Sequence, residues 1–315
     1  MIKTKLATLD ELGHPPVLKD VMASKRGLVL LVGGTGSGKS TTLAAMIDHR
    51  NTSATGHIVT VEDPVEFIHP HKRCVVTQRE VGADTLSYAA ALKNTLRQAP
   101  DVILIGEIRD VETMEAALAF AETGHLCLST LHANSADQAI ERILSFFPSE
   151  RHAEILLQLS LNVRAVISQR LLPAIGGGRA AALEILVDTP RIKDLLKRGE
   201  VHVLKDAMEQ SVAEGCQTFD SAIFSLCERG RVGDGDALAN ADSVNNLRLR
   251  LERLRRGDQA LPTALRLVGE PARRPMSGLR QASNGQPAVV GMPPSAHNAV
   301  PPTTRDGVSP RSSNG

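Results

Sequence analysis

The fold is decided by one short stretch, Gly33-Gly34-Thr35-Gly36-Ser37-Gly38-Lys39-Ser40, which satisfies the pattern GxxxxGK[ST] at every fixed position. The apolar run 28–32 precedes it, and a segment with helical patterning, 40–51, follows it. The glycines let the backbone curl so that successive N–H groups point at phosphate oxygens, and the following helix adds its positive N-terminal end. The stretch therefore predicts a phosphate-binding loop between a strand and a helix.

The last residues of this stretch have separate predicted roles. We expect Lys39 to reach the β and γ phosphates, Ser40 to ligate Mg²⁺ through its hydroxyl, and Thr41 to support the α or β phosphate. Such a loop alone does not separate an ATPase from a GTPase, a kinase or a transporter. Further motifs are needed to decide the reaction.

Around this loop, short β-rich apolar runs alternate with amphipathic helical segments, which is typical of a three-layer α/β sheet. Besides the strand 28–32, the predicted strands are 57–61, 101–106, 126–131 and 181–187. The predicted helices are 40–51, 86–98, 111–123 and 136–147, followed by one long helix over 154–169 and four or five short helices within 191–254. We expect four parts: a lead-in or linker (1–26), an α/β core (27–190), a mainly helical C-terminal subdomain (191–256) and a disordered tail (257–315) rich in Pro, Gly and Ser.

Composition narrows the class of protein. The chain has 315 residues with 42% hydrophobic residues, enough for a sizeable core, and its net charge of +1 gives no global basic field for nucleic acid or anionic lipid. The longest apolar runs are strand-sized and no secretory signal begins the chain, so we expect a cytosolic protein without a membrane span. The four cysteines lie far apart without a CxxC pair, which argues against a zinc clip or a disulfide framework.

Polar residues that end or flank predicted strands are candidates for phosphate chemistry. Glu107 ends an apolar strand, where its carboxylate would hold Mg²⁺ through water; alternatively it caps the helix that begins near Val111. His132 ends the next strand, at an edge where a polar group would face a ligand, although a histidine there is more often structural. Arg97 and Arg109 flank the Glu107 strand and either stabilise phosphate charge or form ordinary salt bridges.

A second acidic group, Glu62, Asp63 and Glu66, follows the predicted strand 57–61. Carboxylates this close repel one another, so a site that holds a divalent cation or a water awaiting activation would explain the arrangement. Glu62 and Asp63 are therefore further candidate Mg²⁺ ligands. The competing interpretation is a solvated acidic turn around Pro64.

Taken in order, these motifs resemble those of the secretion-superfamily ATPases of the type IV pilus retraction group, the PilT/PilU family. Its Walker A motif matches 33–40, its Asp box matches TVEDPVE at 60–66, its Walker B motif matches ILIGEIRD at 103–110, and its His box matches 123–132. The resemblance runs from about residue 8 to 253. It is closest to the accessory, PilU branch, because Gly34 stands where the main motor usually has proline and 190–196 matches the retraction motif only loosely.

The resemblance implies a RecA-like P-loop NTPase core that hydrolyses ATP with Mg²⁺ to power or assist pilus retraction and twitching motility. By this resemblance Glu66 activates the attacking water, Glu107 is the Walker B acid near Mg²⁺, and His132 senses or contacts the γ-phosphate. Arg97 and Arg109 would contact phosphate or the adjoining subunit.

The resemblance also implies partners. We expect a homo-hexamer or a mixed ring with a main retraction ATPase, a peripheral position at the inner face of the cytoplasmic membrane, and contact with the inner-membrane pilus platform protein. Family members carry a PAS-like domain of about a hundred residues ahead of the core, and this chain begins close to that linker. We therefore expect a fragment, a wrongly assigned start or a degraded copy.

Two other functions compete with this one. The first is a nucleotide-binding accessory ring subunit that hydrolyses little by itself. The second is a DNA-handling RecA-like ATPase, disfavoured by one Tyr, six Phe and no Trp for base stacking. The local basic patch that it would need is typical of a solvated helix face and consists of Arg248, Arg250, Arg253, Arg255 and Arg256. We therefore expect no nucleic-acid partner.

Overall fold

The computed structural model describes residues 6–256, in which strands and helices alternate around one sheet. The strands are β1 (Gly27–Val32), β2 (Gly56–Glu62), β3 (Cys74–Glu80), β4 (Val102–Ile105), β5 (Leu126–Leu131), β6 (Val163–Pro173) and β7 (Arg179–Val187). The helices are α1 (Val17–Ala23), α2 (Lys39–Ser53), α3 (Tyr88–Thr95), α4 (Val111–Glu122), α5 (Ala136–Leu144), α6 (His152–Asn162), α7 (Pro190–Arg198), α8 (Leu204–Gln210), α9 (Phe219–Glu228), α10 (Asp234–Ala239) and α11 (Val244–Arg256).

The seven strands form a sheet in the order β3-β2-β4-β5-β1-β6-β7. All neighbours pair in parallel except β6 and β7, which form an antiparallel hairpin. Every residue of β1 and β4 is buried, as expected for parallel strands covered by helices on both faces. The predicted α/β fold is confirmed, and β1 carries the phosphate loop at its carboxyl end near the middle of the sheet.

The prediction of one long helix over residues 154–169 is wrong. The helix α6 ends at Asn162, and Val163 begins the strand β6. Residues from Val163 to Gln169 are buried almost without interruption, so their apolar pattern could not separate a buried strand from a helix. The β-branched Val163, Val166 and Ile167 fit the strand that pairs with β1 on one side and β7 on the other.

The sequence interpretation also missed a strand, β3, at the edge of the sheet. It pairs in parallel with β2 and alternates buried Cys74 and Val76 with exposed Val75. Beyond Val76 the inward face continues with two polar residues, Gln78 and Glu80. A strand whose inner face turns polar halfway along gives only a weak hydrophobic alternation.

Two hydrophobic clusters fill the interior. The first surrounds the sheet and includes Leu18 and Met22 of α1, together with residues of α7 and α8 such as Leu196 and Leu204. The second gathers around Phe219 at the outer ends of β6 and β7 and is closed by α9, α10 and α11. The predicted boundary between core and C-terminal subdomain stays a prediction, since α7 and α8 share the first cluster with the sheet.

The predicted tail, 257–315, lies outside the described residues. Within residues 6–256, none of the helices has the length and apolar character needed to cross a membrane.

Candidate active site

The phosphate loop has a backbone that requires glycine at its two ends. Gly33 has a φ of 151°, and a Cβ there would lie 2.5 Å from the Ser37 hydroxyl and 2.6 Å from the main-chain oxygen of Gln169. Gly38 has a φ of 90° and immediately precedes α2. The loop therefore directs the N-terminal end of a fifteen-residue helix at the space above it.

Lys39 lies across this loop. Its ammonium donates hydrogen bonds to the main-chain oxygens of Gly33 at 2.8 Å and Gly34 at 3.0 Å. Burial lowers the pKa of Lys39, while the negative charges of Glu107 and Glu66 act in the opposite direction. The lysine is thus half-buried, fixed to the loop and close to two carboxylates.

Ser40, the first hydroxyl of α2, contacts the acidic loop between β2 and β3. Its Oγ donates a hydrogen bond of 2.6 Å to Oε1 of Glu66. Glu66 is otherwise exposed, so this carboxylate faces the cleft. Two motifs that are 26 residues apart in sequence therefore meet at one point.

Glu107 and His132 meet because they follow the neighbouring parallel strands β4 and β5. The Nε2 of His132 lies 3.1 Å from Oε1 of Glu107. Arg109 pairs with the other oxygen of Glu107 at 2.8 Å and approaches Asp63 at 3.9 Å. Arg97, in contrast, is exposed in the 3-10 turn Leu96–Gln98. Neither arginine lines the cleft itself, but Arg109 is paired with a residue that does.

Glu62 is held more tightly than the rest of the acidic group. Its Oε1 accepts hydrogen bonds from Thr60 at 2.8 Å and from Gln78 at 3.1 Å. Burial raises the pKa of Glu62, and the nearby charges of Glu66 and Glu80 raise it further. Engaged in this way, Glu62 suits a structural role in the cleft better than it suits direct coordination of Mg²⁺.

One cleft of about 270 Å³ brings the predicted site residues of several motifs together, and they are Lys39, Ser40, Glu62, Asp63, Glu66, Glu107 and His132. Two titratable residues of the lining were not predicted from the sequence, Tyr88 and His69. Tyr88 at the start of α3 approaches Gly106, and burial raises its pKa to about 12. His69 is buried, its Nδ1 has no hydrogen-bond partner within residues 6–256, and burial lowers its pKa to about 4.

The donor set fits Mg²⁺ bound together with phosphate. Among residues 6–256 no three His, Cys, Asp or Glu side chains converge into a metal cage. Mg²⁺ is commonly bound by one or two protein oxygens plus substrate phosphates and water, which the Ser40 hydroxyl and the Glu107 carboxylate can supply. These residues fit the cation only alongside a nucleotide.

Buried contacts support the loops from behind. Beneath α2, the Thr42 hydroxyl donates to Oε1 of Gln169 at 2.7 Å and lies 2.9 Å from Nε2 of His14. Beyond His132, Glu184 of β7 accepts hydrogen bonds from the first N–H of α5, that of Ala136, at 2.7 Å and from the Ser168 hydroxyl at 3.2 Å. Burial raises the pKa of Glu184 to about 7.

The basic residues of α11 are largely engaged within the chain. The Arg250 guanidinium stacks 4.3 Å from the Phe224 ring. Arg255 pairs with an acidic residue of α10 at 2.6 Å, and Arg256 pairs within α11 at 3.7 Å. These contacts support the interpretation of the patch as a helix face.

The fold and the cleft together define a P-loop nucleotide-binding protein. The family model "Type II/IV secretion system protein" matches residues 5–225. The type IV pilus ATPase PilU of Pseudomonas aeruginosa is 57% identical over 252 residues, which are 80% of this chain and 66% of that protein. PilT of the same organism, a type IV pilus retraction ATPase, is 46% identical over 78% of this chain and 71% of its own.

A solved structure agrees. In the crystal structure of the pilus retraction motor PilT with bound ADP, the match covers 79% of this chain and 71% of that chain, with a TM-score of 0.74 and 40% identity. The chain therefore belongs to the type II/IV secretion system family, within the PilT/PilU ATPases, and this prediction is confirmed. It spans about two thirds of the length of the PilU relative.

Proposed function

We propose that this chain hydrolyses ATP with Mg²⁺ and, as a motor subunit, powers or assists the retraction of type IV pili. The observation that carries the proposal is the 2.6 Å hydrogen bond between Ser40 and Glu66, which joins the phosphate loop to an exposed carboxylate. A protein that only bound nucleotide would not need this carboxylate at the phosphate end of the cleft.

Different residues of the cleft have different roles in hydrolysis. The loop N–H groups and Lys39 bind the phosphates, and Ser40 with Glu107 holds the cation. When bound, Mg²⁺ neutralises charge that develops on the phosphate oxygens. Glu66 accepts a proton from the attacking water at a carboxylate oxygen, so that the water oxygen forms its bond to the γ-phosphorus as the bond to ADP breaks. His132, 3.1 Å from Glu107, contacts the γ-phosphate side of the cleft.

The same proposal includes an assembly. We infer that the chain works in a ring, as a homo-hexamer or mixed with a main retraction ATPase, at the cytoplasmic face of the inner membrane against the pilus platform protein. PilT is named a pilus retraction motor and PilU a type IV pilus ATPase, which supports a place for this chain in the pilus machinery. Arg109 remains a candidate for contact with phosphate, and Arg97, which lies outside the cleft, for contact with a neighbouring subunit.

Phosphate release in the presence of Mg²⁺ tests the proposal. Glu66→Gln keeps an oxygen for Ser40 but removes the base, so turnover should fall on the order of 100-fold or more while nucleotide affinity changes little. Lys39→Ala should instead weaken nucleotide binding. Equal phosphate release from the wild type and both variants would overturn the enzymatic role.

One result would favour the accessory ring subunit instead. In that case the isolated chain binds a fluorescent ATP analogue but releases no phosphate, and release appears only when a full-length retraction ATPase is added. Light scattering of the same samples, with and without nucleotide, measures whether a ring forms.

A further inference from the structure

The edge strand β3 presents two polar side chains to the acidic loop 62–69. Gln78 and Glu80 are two residues apart, so both point to the same side of the strand. The loop leaves β2 at Glu62, which pairs with Glu80 in the parallel register. The loop and the polar end of β3 therefore lie side by side.

Gln78 makes three hydrogen bonds to this loop. Its Nε2 donates to Oε1 of Glu62 at 3.1 Å and to the main-chain oxygen of Phe67 at 2.9 Å. Its Oε1 accepts from the main-chain N–H of His69 at 2.8 Å. One side chain thus binds the start and the end of the loop.

Glu80 adds a fourth hydrogen bond, to a residue that lies between the two ends of the loop. Its Oε2 accepts a hydrogen bond of 3.0 Å from the main-chain N–H of Val65, the residue before Glu66. The contacts from β3 therefore reach residues 62, 65, 67 and 69 and flank Glu66 on both sides. The Glu66 side chain itself is left to face Ser40.

The chemistry of these contacts calls for an amide at position 78. A side-chain amide has two N–H donors and an acceptor oxygen, and Gln78 uses both kinds of group here. A carboxylate could accept from His69 but could not donate, and it would repel Glu62. An ammonium could donate but could not accept.

We propose that Gln78 is a positioning residue for hydrolysis, which holds the loop 62–69 so that the Glu66 carboxylate stays at the phosphate end of the cleft. The inference rests on the proposed role of Glu66 as the base. It predicts a specific kinetic signature: loss of Gln78 slows turnover while nucleotide binding, which depends on the loop 33–40, is preserved.

Two variants test this role. Gln78→Met has similar length but no polar group, and Gln78→Glu keeps the acceptor while losing both donors. Each should lower kcat on the order of 10- to 100-fold, because a small misplacement of a catalytic group has an effect of this size. The Kd of a fluorescent ATP analogue should stay within about twofold, since neither variant touches the phosphate loop.

A control variant lies on the same strand and faces the other side. The Thr77 hydroxyl lies 2.9 Å from Nε2 of His57, away from the acidic loop. Thr77→Val removes this contact and should leave kcat and Kd at wild-type values even where it lowers the melting temperature. A loss of kcat in Thr77→Val equal to that of Gln78→Met would point to general loosening of β3 and overturn the inference.

A double variant separates this inference from the proposed function. If Gln78 acts through Glu66, Gln78→Met combined with Glu66→Gln should be no slower than Glu66→Gln alone. Suppose that Glu66→Gln is slow. If Gln78→Met alone does not lower kcat, or if it lowers the kcat of Glu66→Gln by a further independent factor, the positioning role is overturned and the proposed function stands. If Glu66→Gln instead turned over at the wild-type rate, Glu66 would not be the base. That result would overturn both the proposed hydrolytic role of Glu66 and the positioning role of Gln78.

Discussion

The phosphate loop 33–40 and the acidic loop 62–69 face the same cleft but are held in different ways. The first is held by its own residues: Lys39 bonds to Gly33 and Gly34, and the N–H of Ser37 donates to the oxygen of Gly34 at 3.2 Å. The second is held by side chains of β3, at least nine residues further along the chain. Binding therefore depends on local backbone geometry, and the placement of the base depends on a tertiary contact.

This difference matters because the two loops can fail separately. A change in the phosphate loop should remove nucleotide affinity, and with it every later step. A change in the supports of the acidic loop should leave a protein that binds nucleotide and turns it over slowly.

The largest effect is expected from Gly33→Ala. A Cβ at Gly33 would overlap a main-chain oxygen at 2.6 Å in a backbone conformation that other residues rarely adopt. Nucleotide affinity should fall on the order of 1,000-fold, or about 4 kcal/mol. Gly34→Ala is the matched control and should bind normally, because within residues 6–256 no atom beyond its two chain neighbours lies within 4 Å of its Cβ position. Equal affinities of the two variants by nucleotide titration would contradict the requirement for glycine at position 33.

A second prediction concerns Glu184, which holds the loop after His132. Its pKa of about 7, raised from 4.5 by burial, means that between these values the folded protein keeps a proton that the unfolded chain has released. Stability from this group is therefore lost as pH rises through that window, by at most about 3 kcal/mol. The nearby Asp242 raises this pKa further and Lys205 lowers it.

Glu184→Gln removes this titration, so the prediction is tested by comparing the free energy of unfolding in urea of the variant and the wild type. The variant should gain stability relative to the wild type as pH rises from about 4.5 to 7. The buried His14 and His69, with pKa values of about 4, act in the opposite sense, since they favour unfolding as pH falls below 6.5. Because both proteins contain them, they cancel in the difference. A constant difference across this range would refute the prediction.

A smaller effect is expected from Glu80, the second support of the acidic loop. Glu80→Leu removes the acceptor for the N–H of Val65 and should lower kcat about 10-fold, equivalent to about 1.4 kcal/mol, with little change in nucleotide affinity. Glu80→Gln retains an acceptor oxygen and should keep most of the turnover. A parallel loss of affinity in Glu80→Leu would show that the two loops are coupled.

The smallest effect is expected beneath the phosphate loop. Thr42→Val breaks the hydrogen bonds to Gln169 and His14, whereas Thr42→Ser keeps the hydroxyl. If the loop is held mainly by its own residues, Thr42→Val should weaken nucleotide binding only about threefold relative to Thr42→Ser. A much larger loss, measured by the same titration, would mean that the loop also depends on support from below.

The predictable parts of the protein are the local ones. The phosphate loop could be predicted because eight consecutive residues determine its shape. The strands β1 and β5 followed from short apolar runs, and α4 followed from an amphipathic helical pattern. The sequence also indicated Glu107 and His132 as strand ends. That they meet depends on β4 and β5 being neighbours, which the order of the strands along the chain does not fix.

The parts that could not be predicted are those in which tertiary contacts decide where a side chain points and what it contacts. In β3, Gln78 and Glu80 look like solvent-facing positions in the sequence, yet they point inward and accept hydrogen bonds from the acidic loop. Arg97 and Arg109 looked equivalent on either side of a strand, but only Arg109 reaches Glu107. The strand β6 was taken for a helix because burial on both faces removed its alternation.

The two hydrophobic clusters give the molecule built-in chemical probes. Cys127 lies in the first cluster with its side chain fully enclosed, while Cys227 lies in the second, and both are free thiols. Burial raises the pKa of each thiol, so each reacts with a labelling reagent only when its own surroundings open. The ratio of the two labelling rates would measure how often α9, α10 and α11 detach while the sheet that carries the cleft stays closed.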